Sequence, residues 1–328
     1  MEAVQRICET CVSLPDVGGN CPTQGNELPC THLSERAGSV VGGPISRPDQ
    51  SKGFFGVMHA RIMGILNVTP DSFFDGGRFT DPATAIERGR QMLREGAEII
   101  DVGGESTRPG ADPVPIDLEC ERVCAVVEAL AGDCIVSIDT RHEAVARSAV
   151  AVGARWVNDI SATLAPMAAE LNVGWIAMHM QGIPSTMQNA PHYTDVVAEV
   201  QMFLHTRAGQ AETLGVPEIM IDPGIGFGKT AEHNLTLIDA LEELTRMPYP
   251  VIVGASRKSF IGQVLGLPDP ADRLIGSLTV AAIAAARGAA VIRTHDVAPT
   301  VQAIRMAAAV CSRSAENSPR LATIFARG

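Results

Sequence analysis

The stretch Val291-Ile-Arg-Thr-His-Asp296 is a short apolar run that ends abruptly in polar residues able to hold a charged ligand. Near the other end of the chain, Asn67-Val-Thr-Pro-Asp-Ser-Phe73 closes a second apolar run in the same way. Five further apolar runs also stop in polar residues: Asp101-Val-Gly-Gly-Glu105, Ser137-Ile-Asp139, Val157-Asn-Asp159, Met220-Ile-Asp-Pro-Gly224 and Val253-Gly-Ala-Ser-Arg-Lys258. Polar groups placed repeatedly at strand ends indicate one shared pocket.

From about residue 60, short β-branched runs alternate with longer stretches of helical periodicity, a pattern typical of parallel strands joined by crossover helices. The predicted strands are 61–67, 97–102, 134–138, 154–157, 174–178, 218–222, 250–254 and 290–294. The predicted helices are 82–95, 118–130, 143–152, 165–171, 196–214, 230–246, 271–287 and 297–310. Eight strands, each followed by a helix, within about 250 residues match the size of a (β/α)₈ barrel.

A doubly wound parallel sheet is the competing architecture. It favours one glycine-rich fingerprint after the first strand and few polar groups at the other strand ends. Here the glycines are spread over several loops, and separate strands end in Asn67, Asp139, Asn158, Asp222, Lys258 and His295. Because a barrel collects catalytic groups at the C-terminal ends of several strands, we predict an α/β fold of the TIM-barrel type.

Composition narrows the class of protein. The 328 residues are 46% hydrophobic, enough for one large core or two small ones. The net charge of −11 argues against a nucleic-acid partner, and no apolar run reaches the roughly 18 residues that span a bilayer. The first residues lack the basic start and apolar stretch of a secretion signal. The later cysteines lie mostly among apolar neighbours, so a reducing cytoplasm is the expected compartment.

Residues 1–57 are rich in Gly, Pro, Ser and Cys and show no periodicity, so we predict an extension of low order, followed by the barrel over 58–312 and a tail over 313–328. Cys8-x-x-Cys11 is compatible with zinc, but the later pair, Cys21 and Cys30, does not repeat its spacing. We therefore expect no metal site there. An alternative is that Met58 is the true start and the extension a misread leader.

Five segments together resemble the signatures of the dihydropteroate synthase family. They are Asn67-Val-Thr-Pro-Asp-Ser-Phe73, Gly104-Glu-Ser-Thr-Arg-Pro-Gly110, Asp222-Pro-Gly-Ile-Gly-Phe227, Ser256-Arg-Lys258 and Arg293-Thr-His-Asp296. The match runs in order over about residues 60–310, and the extension has no counterpart in it. The resemblance implies a folate-pathway enzyme that joins dihydropterin pyrophosphate to para-aminobenzoate with Mg²⁺ and releases pyrophosphate.

Three of the strand-end residues suit a pterin. Asp139, Asn158 and Asp222 each follow an apolar run, so their side chains can point into the barrel mouth. A pterin edge presents adjacent N–H donors and a carbonyl, which carboxylates and an amide complement. An Asp that closes a strand can instead cap the next helix, but three such residues inside the resemblance favour the pterin site. We expect Asp139 and Asp222 to stabilise a pterin cation, with no residue acting as a covalent nucleophile.

The resemblance also implies roles for the basic residues. Lys258 would contact the pterin, while Arg293 and His295 would hold the departing pyrophosphate, for which the planar fork of arginine is suited. Arg257 is expected to be paired elsewhere or solvated. Because Mg²⁺ takes oxygen ligands and keeps several waters, one amide oxygen, that of Asn67, can suffice as its protein ligand.

Two glycine-containing loops, 69–80 and 103–115, are expected to close the site. The second loop carries Thr107 and Arg108, which we also expect to bind substrate. By resemblance, Met178 touches the pterin, and five residues border the aminobenzoate pocket: Phe73, Pro109, Phe227, Lys258 and Ser259. No extra residue interrupts the sequence beside Phe73 or Arg108, so the resemblance implies sensitivity to sulfonamides.

Other features are expected to be structural. His179 and Gln181 should pack locally, and Gly228-Lys229-Thr230 copies the tail of a P-loop whose first glycine position holds Pro223. The apolar segments 274–286 and 301–310 offer contacts for the homodimer that the resemblance implies, although packing on the barrel explains them equally. A corrinoid-type pterin-binding methyltransferase domain and a non-catalytic pterin-binding paralogue are the rival functions. The anion-binding segments and the complete set of loop residues argue against both.

Overall fold

The structure, a computed structural model, describes residues 60–69, 82–106 and 113–325, with side chains through residue 311. In this part of the chain, eight parallel strands form one sheet in the order β6-β5-β4-β3-β2-β1-β8-β7. The strands are β1 (Arg61–Asn67), β2 (Ile99–Gly103), β3 (Ile135–Asp139), β4 (Trp156–Asp159), β5 (Gly174–Met178), β6 (Ile219–Asp222), β7 (Ile252–Val253) and β8 (Val291–Thr294).

The sheet curls into a nearly closed barrel. The first strand, β1, pairs with β2 on one side and with the last strand, β8, on the other. An isolated parallel bridge between Ile221 and Val251 joins β6 to the segment entering β7. The predicted TIM barrel is therefore confirmed, and the doubly wound sheet is excluded.

Helices separate the strands in sequence. They are α1 (Pro82–Glu95), α2 (Ile116–Leu130), α3 (Glu143–Ala151), α4 (Ala165–Glu170), α5 (Val196–Leu214), α6 (Ala231–Asp239), α7 (Leu241–Thr245), α8 (Ser259–Leu265), α9 (Leu274–Ala286) and α10 (Val297–Phe325). None in the described residues is long and apolar enough to cross a membrane. The predicted extension, residues 1–57, lies outside the described residues.

Three helix predictions were inaccurate, and a further helix was missed. The single helix expected over 230–246 is two, because the chain leaves helical geometry at Ala240 (ψ 13°). The helix expected over 271–287 begins as a 3₁₀ turn, Pro270–Arg273, and α8 was missed because seven residues are too few to show a period. The last helix continues past residue 310 to Phe325.

Alternation along the strands creates two cores. Outward residues pack under the helices, whereas a smaller cluster fills the base of the barrel: Met63, Ile99, Ile135, Trp156, Ile176, Met220, Ile252, Ala290 and Val291. Since side chains alternate along a strand, the inward positions two or four residues further on lie at the C-terminal mouth of the barrel. These positions are polar in most strands, which defines the candidate site.

Candidate active site at the barrel mouth

The predicted residues of six strands share the inward face at the mouth: Asn67, Asp139, Asn158, Met178, Asp222 and Arg293. Strand register aligns several of them directly. Asn67 is level with Gly103, Gly103 with Asp139, and Asp139 with Asn158, while Met178 is level with Asp222. Residues separated by more than 150 positions in sequence are thus collected around one opening, as the strand-end pattern predicted.

Arg293 forms ion pairs with two aspartates of the site. Its Nε donates to Asp101 Oδ2 at 2.6 Å, and its Nη2 donates to Asp139 Oδ2 at 2.6 Å. Asn158 Nδ2 donates to the same Asp101 oxygen at 2.9 Å. The neighbouring carboxylates of Asp101 and Asp139 raise the pKa of Arg293 above its ordinary value even though burial opposes this. The guanidinium therefore stays charged and fixes both carboxylates.

Asp101 is a site residue that sequence reasoning overlooked. It was noted only as the start of a polar strand end and received no role. Its side chain is fully buried and lies two residues beyond the inward Ile99. Period-two counting from Ile99 is the signal that could have found it, because Ile99 and Asp101 must face the same side of β2.

Two acceptor atoms in this network are left without partners among the described residues, namely Asp101 Oδ1 and Asp139 Oδ1. A buried carboxylate oxygen without a donor is costly, so such atoms point to a ligand that supplies the donor. Burial raises the pKa of Asp139 to about 7, with Arg293 opposing the rise. The mouth is consequently prepared for a ligand with N–H groups or positive charge.

Asp222 and Lys258 form the opposite side of the mouth. Burial raises the pKa of Asp222 while Lys258 opposes the rise, and Asp222 Oδ1 accepts the Gly224 N–H at 2.7 Å. Burial lowers the pKa of Lys258 to about 8, with Asp222 opposing the fall. The Lys258 ammonium donates to the Ile225 carbonyl and lies 4.5 Å from the centroid of the Phe227 ring. One loop thus orients the lysine and presents an aromatic face beside it.

The decline of kcat/KM at alkaline pH is expected to follow the loss of charge on Lys258. Its ammonium is charged below pH 8 and neutral above, so kcat/KM is expected to fall as the pH rises through about 8. Steady-state rates from pH 6 to 10 measure this, and Lys258→Arg, whose charge persists to high pH, should shift the decline upward. An unchanged decline in Lys258→Arg would assign it to another group.

Lys229 is buried beneath the same loop. Its ammonium lies 2.9 Å from His179 Nδ1 and donates to the carbonyls of Gly224 at 3.0 Å and Phe227 at 3.1 Å. Burial lowers the pKa of Lys229 to about 7 and that of His179 to about 3, so His179 is neutral. Lys229 thus ties the end of β5 to the loop after β6. The expectation that His179 packs locally is confirmed. Lys229 stabilises the loop after β6 through its bonds to the two carbonyls.

Close approach of backbones makes this tie possible. Gly224 has φ +64°, and a Cβ there would lie 1.8 Å from the His179 carbonyl oxygen. Only glycine fits such a position. Gln181 strengthens the same region, since its amide bonds both the carbonyl and the N–H of His192.

Lys229→Met should loosen this loop. Removing the ammonium takes its donor from the Phe227 carbonyl and leaves the Gly224 carbonyl with the Phe227 N–H, so we expect about 2 kcal/mol of lost stability. Urea unfolding measures the loss. The control is Arg94→Met, whose pair with Glu87 is exposed on both sides and contributes little. Equal stability of wild type and Lys229→Met would contradict the tie.

The last strand end places His295 and Arg257 differently. His295 Nδ1 lies 3.1 Å from Ser256 Oγ, so the Ser-Arg-Lys segment and the last strand meet at the rim. Arg257 is turned away and pairs with Asp296 through Nε at 2.8 Å and Nη2 at 2.5 Å. The expectation that Arg257 is paired elsewhere is confirmed.

Not every predicted residue is placed. Phe73, Thr107, Arg108 and Pro109 lie outside the described residues. Phe227 is half-buried over Lys258, and Ser259 is exposed at the first position of α8. Asn67 is half-buried, and its Oδ1 lies 3.8 Å from the position of a Cβ on Gly103, beside Asp139.

Comparisons with known proteins identify a family for this chain. The family described as pterin binding enzyme matches residues 63–295. A dihydropteroate synthase of Synechocystis sp. is 47% identical over 258 residues, covering 76% of this chain and 89% of the relative.

Two solved structures extend the likeness to three dimensions. Dihydropteroate synthase of Xanthomonas albilineans with 4-aminobenzoic acid superposes with a TM-score of 0.72 at 44% identity, covering 77% of this chain and 94% of that one. The Yersinia pestis enzyme in a sulfonamide drug complex gives a TM-score of 0.74 at 42% identity, with 78% and 96% covered. With its signature residues gathered at the mouth of the same barrel, the chain belongs to the dihydropteroate synthase family of pterin-binding enzymes.

Proposed function

We propose that this chain condenses 6-hydroxymethyl-7,8-dihydropterin pyrophosphate with para-aminobenzoate to form 7,8-dihydropteroate and pyrophosphate in folate biosynthesis. The observation that carries the proposal is the inward convergence of Asp139, Asn158 and Asp222 beside orphaned carboxylate oxygens. Relatives named dihydropteroate synthase at 47% identity support it. A methyltransferase would share the acids but has no pyrophosphate to release.

The pterin would lie among Asp139, Asn158, Met178, Asp222 and Lys258. Carboxylates accept the N–H groups of the pterin edge in short charge-assisted bonds, and the buried mouth strengthens these bonds by excluding water. As the C–O bond breaks, its electron pair leaves with pyrophosphate and positive charge develops on the pterin. Asp139 and Asp222 would stabilise that cation, being fixed in place before reaction by Arg293 and Gly224.

The amine of para-aminobenzoate then donates its lone pair to form the C–N bond and loses a proton to solvent. Phe227, Lys258 and Ser259 would border the aromatic ring, together with the loop residues Phe73 and Pro109, while Thr107 and Arg108 would also contact substrate. Holding the amine against the pterin carbon supplies the proximity that the reaction needs, so no covalent nucleophile is required.

Pyrophosphate would lie at the rim formed by Arg293 and His295. Nε and Nη2 of Arg293 bind carboxylates, whereas Nη1 takes part in neither ion pair and would donate to the anion. The contact between His295 and Ser256 holds the imidazole at the end of the last strand, where barrels commonly bind phosphate.

A magnesium ion fits the donor set near Asn67. The Asn67 amide oxygen is a hard oxygen ligand at the barrel mouth, 3.8 Å from the position of a Cβ on Gly103, and Mg²⁺ can complete its coordination with water and substrate phosphate. We propose that Asn67 holds Mg²⁺, which when bound stabilises negative charge on pyrophosphate.

We further propose a homodimer in the reducing cytoplasm. Among the described residues, the last two helices carry exposed apolar side chains, with Ile275, Met306 and Val310 70%, 64% and 57% exposed. Burying them against a second copy removes this apolar surface from water. The described cysteines Cys120, Cys124, Cys134 and Cys311 are free thiols, as a reducing compartment requires. Sedimentation analysis of wild type and Ile275→Asp tests the dimer.

Pyrophosphate release tests the reaction. A coupled assay with both substrates should give steady turnover in wild type and strongly reduced turnover in Asp139→Asn, Lys258→Ala and His295→Ala. His205→Ala, on the exposed side of α5, is the control and should match wild type. Methyl transfer from a methylated pterin without pyrophosphate release would favour the methyltransferase instead.

Sulfonamides should inhibit this chain. Because they copy the shape of para-aminobenzoate, inhibition is expected to be competitive with that substrate and to raise its apparent KM without lowering kcat. Folate-deficient cells rescued by this chain give the second readout. Their growth in sulfonamide without delay would contradict the prediction.

A further inference from the structure

Three metal-ligating side chains from different elements meet beside the barrel mouth. Glu105 follows β2, Glu119 lies in the first turn of α2, and His142 directly precedes α3. His142 Nε2 is 3.6 Å from Glu105 Oε2 and 4.0 Å from Glu119 Oε2, and the three ligand atoms lie within 4.8 Å of one another. These separations are too long for hydrogen bonds. The two distances from His142 are near the roughly 3.4 Å between ligand atoms around a tetrahedral Zn²⁺, and a small side-chain adjustment would bring the two carboxylates to that spacing.

Glu119 supplies a second, independent observation. Its side chain is fully buried, and Thr140 Oγ1 donates to its Oε1 at 2.8 Å. Its Oε2 has no hydrogen-bond partner in the described part of the chain and lies toward His142. A buried carboxylate oxygen of this kind is costly unless a proton donor or a cation reaches it. The unpartnered atom therefore points to a ligand between Glu119 and His142.

The remaining contacts orient Glu105 without blocking it. Arg141 binds both of its oxygens at 3.1 and 3.2 Å, and the Val114 N–H donates to Oε1 at 3.3 Å. Each carboxylate oxygen has two lone pairs, so Oε2 can bind a cation while Arg141 stays in place. Two carboxylates and one guanidinium carry a net charge of −1, which a divalent cation offsets.

We propose that Glu105, Glu119 and His142 bind a divalent transition-metal cation, with Zn²⁺ favoured by the mixed imidazole and carboxylate ligands. The imidazole distinguishes this site from the oxygen ligands proposed for Mg²⁺ at Asn67. The His142 side chain is 27% exposed, so the ion has an entry path and a fourth position for water. Bound there, it would join the connection after β2 to α2 and α3. Because the Val114 N–H donates to Glu105, the ion would also help to hold the segment that enters α2.

Metal binding to the full-length chain tests the site. After removal of metal with a chelator and desalting, Zn²⁺ is added, and bound zinc per chain, Kd and Tm are measured. Wild type should bind one more equivalent than His142→Ala, and its Tm should rise on the order of 5 °C with saturating Zn²⁺. His142→Ala and Glu119→Gln should raise the Kd of this equivalent at least tenfold and lose the rise in Tm, whereas His205→Ala should keep both.

Co²⁺ separates this site from the cysteines of the extension. A site with nitrogen and oxygen ligands gives d–d absorption without the thiolate charge-transfer band that cysteine ligands add. The d–d component should be absent in His142→Ala. Equal metal content and equal spectra in wild type and His142→Ala would overturn the proposal, as would a wild-type chain that binds no metal. Far-UV circular dichroism verifies that each variant is folded.

Discussion

Replacing Arg293 with methionine is expected to cost about 3–5 kcal/mol of folding free energy. The guanidinium binds Asp101 and Asp139 at 2.6 Å each, and Asp101 is fully buried. Without the cation, two buried carboxylates repel each other, and Asp101 keeps only the Asn158 amide as a donor. Urea unfolding at pH 8 should show a lower midpoint, and no gain in packing from methionine offsets the loss.

The pH dependence provides the signature of this effect. Burial already raises the pKa of Asp139 to about 7, and loss of the opposing cation raises it further. The deficit of Arg293→Met should therefore shrink as the pH falls toward 5, because protonation removes the unpaired charge. The control is Arg257→Met, whose pair with Asp296 is 37% exposed on the arginine side and contributes about 1 kcal/mol or less. Similar losses of unfolding free energy in the two variants at pH 8 would contradict the stabilising role of the Arg293 ion pairs.

Replacing Asp222 with asparagine is expected to lower kcat/KM about 10²–10³-fold while leaving the fold intact. Asparagine keeps an oxygen that can accept the Gly224 N–H, so the loop geometry is preserved. It removes the negative charge that would stabilise the pterin cation, and it leaves Lys258 without the carboxylate that supports its charge. Steady-state pyrophosphate release, with circular dichroism of the same samples, separates chemistry from folding.

Asp195→Asn is the matched control for this variant. Asp195 is the exposed N-cap of α5, where its carboxylate accepts the N–H groups of Val197 and Ala198 at 3.0 Å each. Asparagine caps helices as well as aspartate, so both stability and kcat/KM should equal those of wild type. Wild-type activity in Asp222→Asn would remove the cation-stabilising role proposed for this carboxylate.

Most strands were predictable because a buried parallel strand has a short, β-branched run as its direct signature. The bounds of β1 and β5 agree with prediction, and the others shift by one or two residues. The seven-residue α8 and the break at Ala240 were not predictable, since periodicity needs more turns than these segments contain. Lys258 and Ser259 are therefore held at a helix start that sequence reasoning did not foresee.

Two adjacent polar residues show where the local sequence pattern is insufficient. Asn158 and Asp159 follow the same run, yet Asn158 faces the mouth while Asp159 faces the helices. Asp159 Oδ2 accepts the N–H groups of Thr163 and Leu164 at 2.7 Å each. Asp159 therefore caps the segment that follows the strand. Only the phase of the pleat, set by packing of the neighbouring Trp156 and Val157, separates the two roles.

By itself, the sequence determined the barrel, the family and the polar residues that end the strands, because strand periodicity and loop motifs are local properties of the chain. Tertiary structure alone decided which charges meet. The pairing of Arg293 with Asp101 and Asp139 spans up to 192 positions, the carbonyl cage around Lys229 joins two loops, and Glu105, Glu119 and His142 come from three elements. Such contacts depend on barrel closure and strand register, which are set by the packing of the whole core and leave no mark in any short segment.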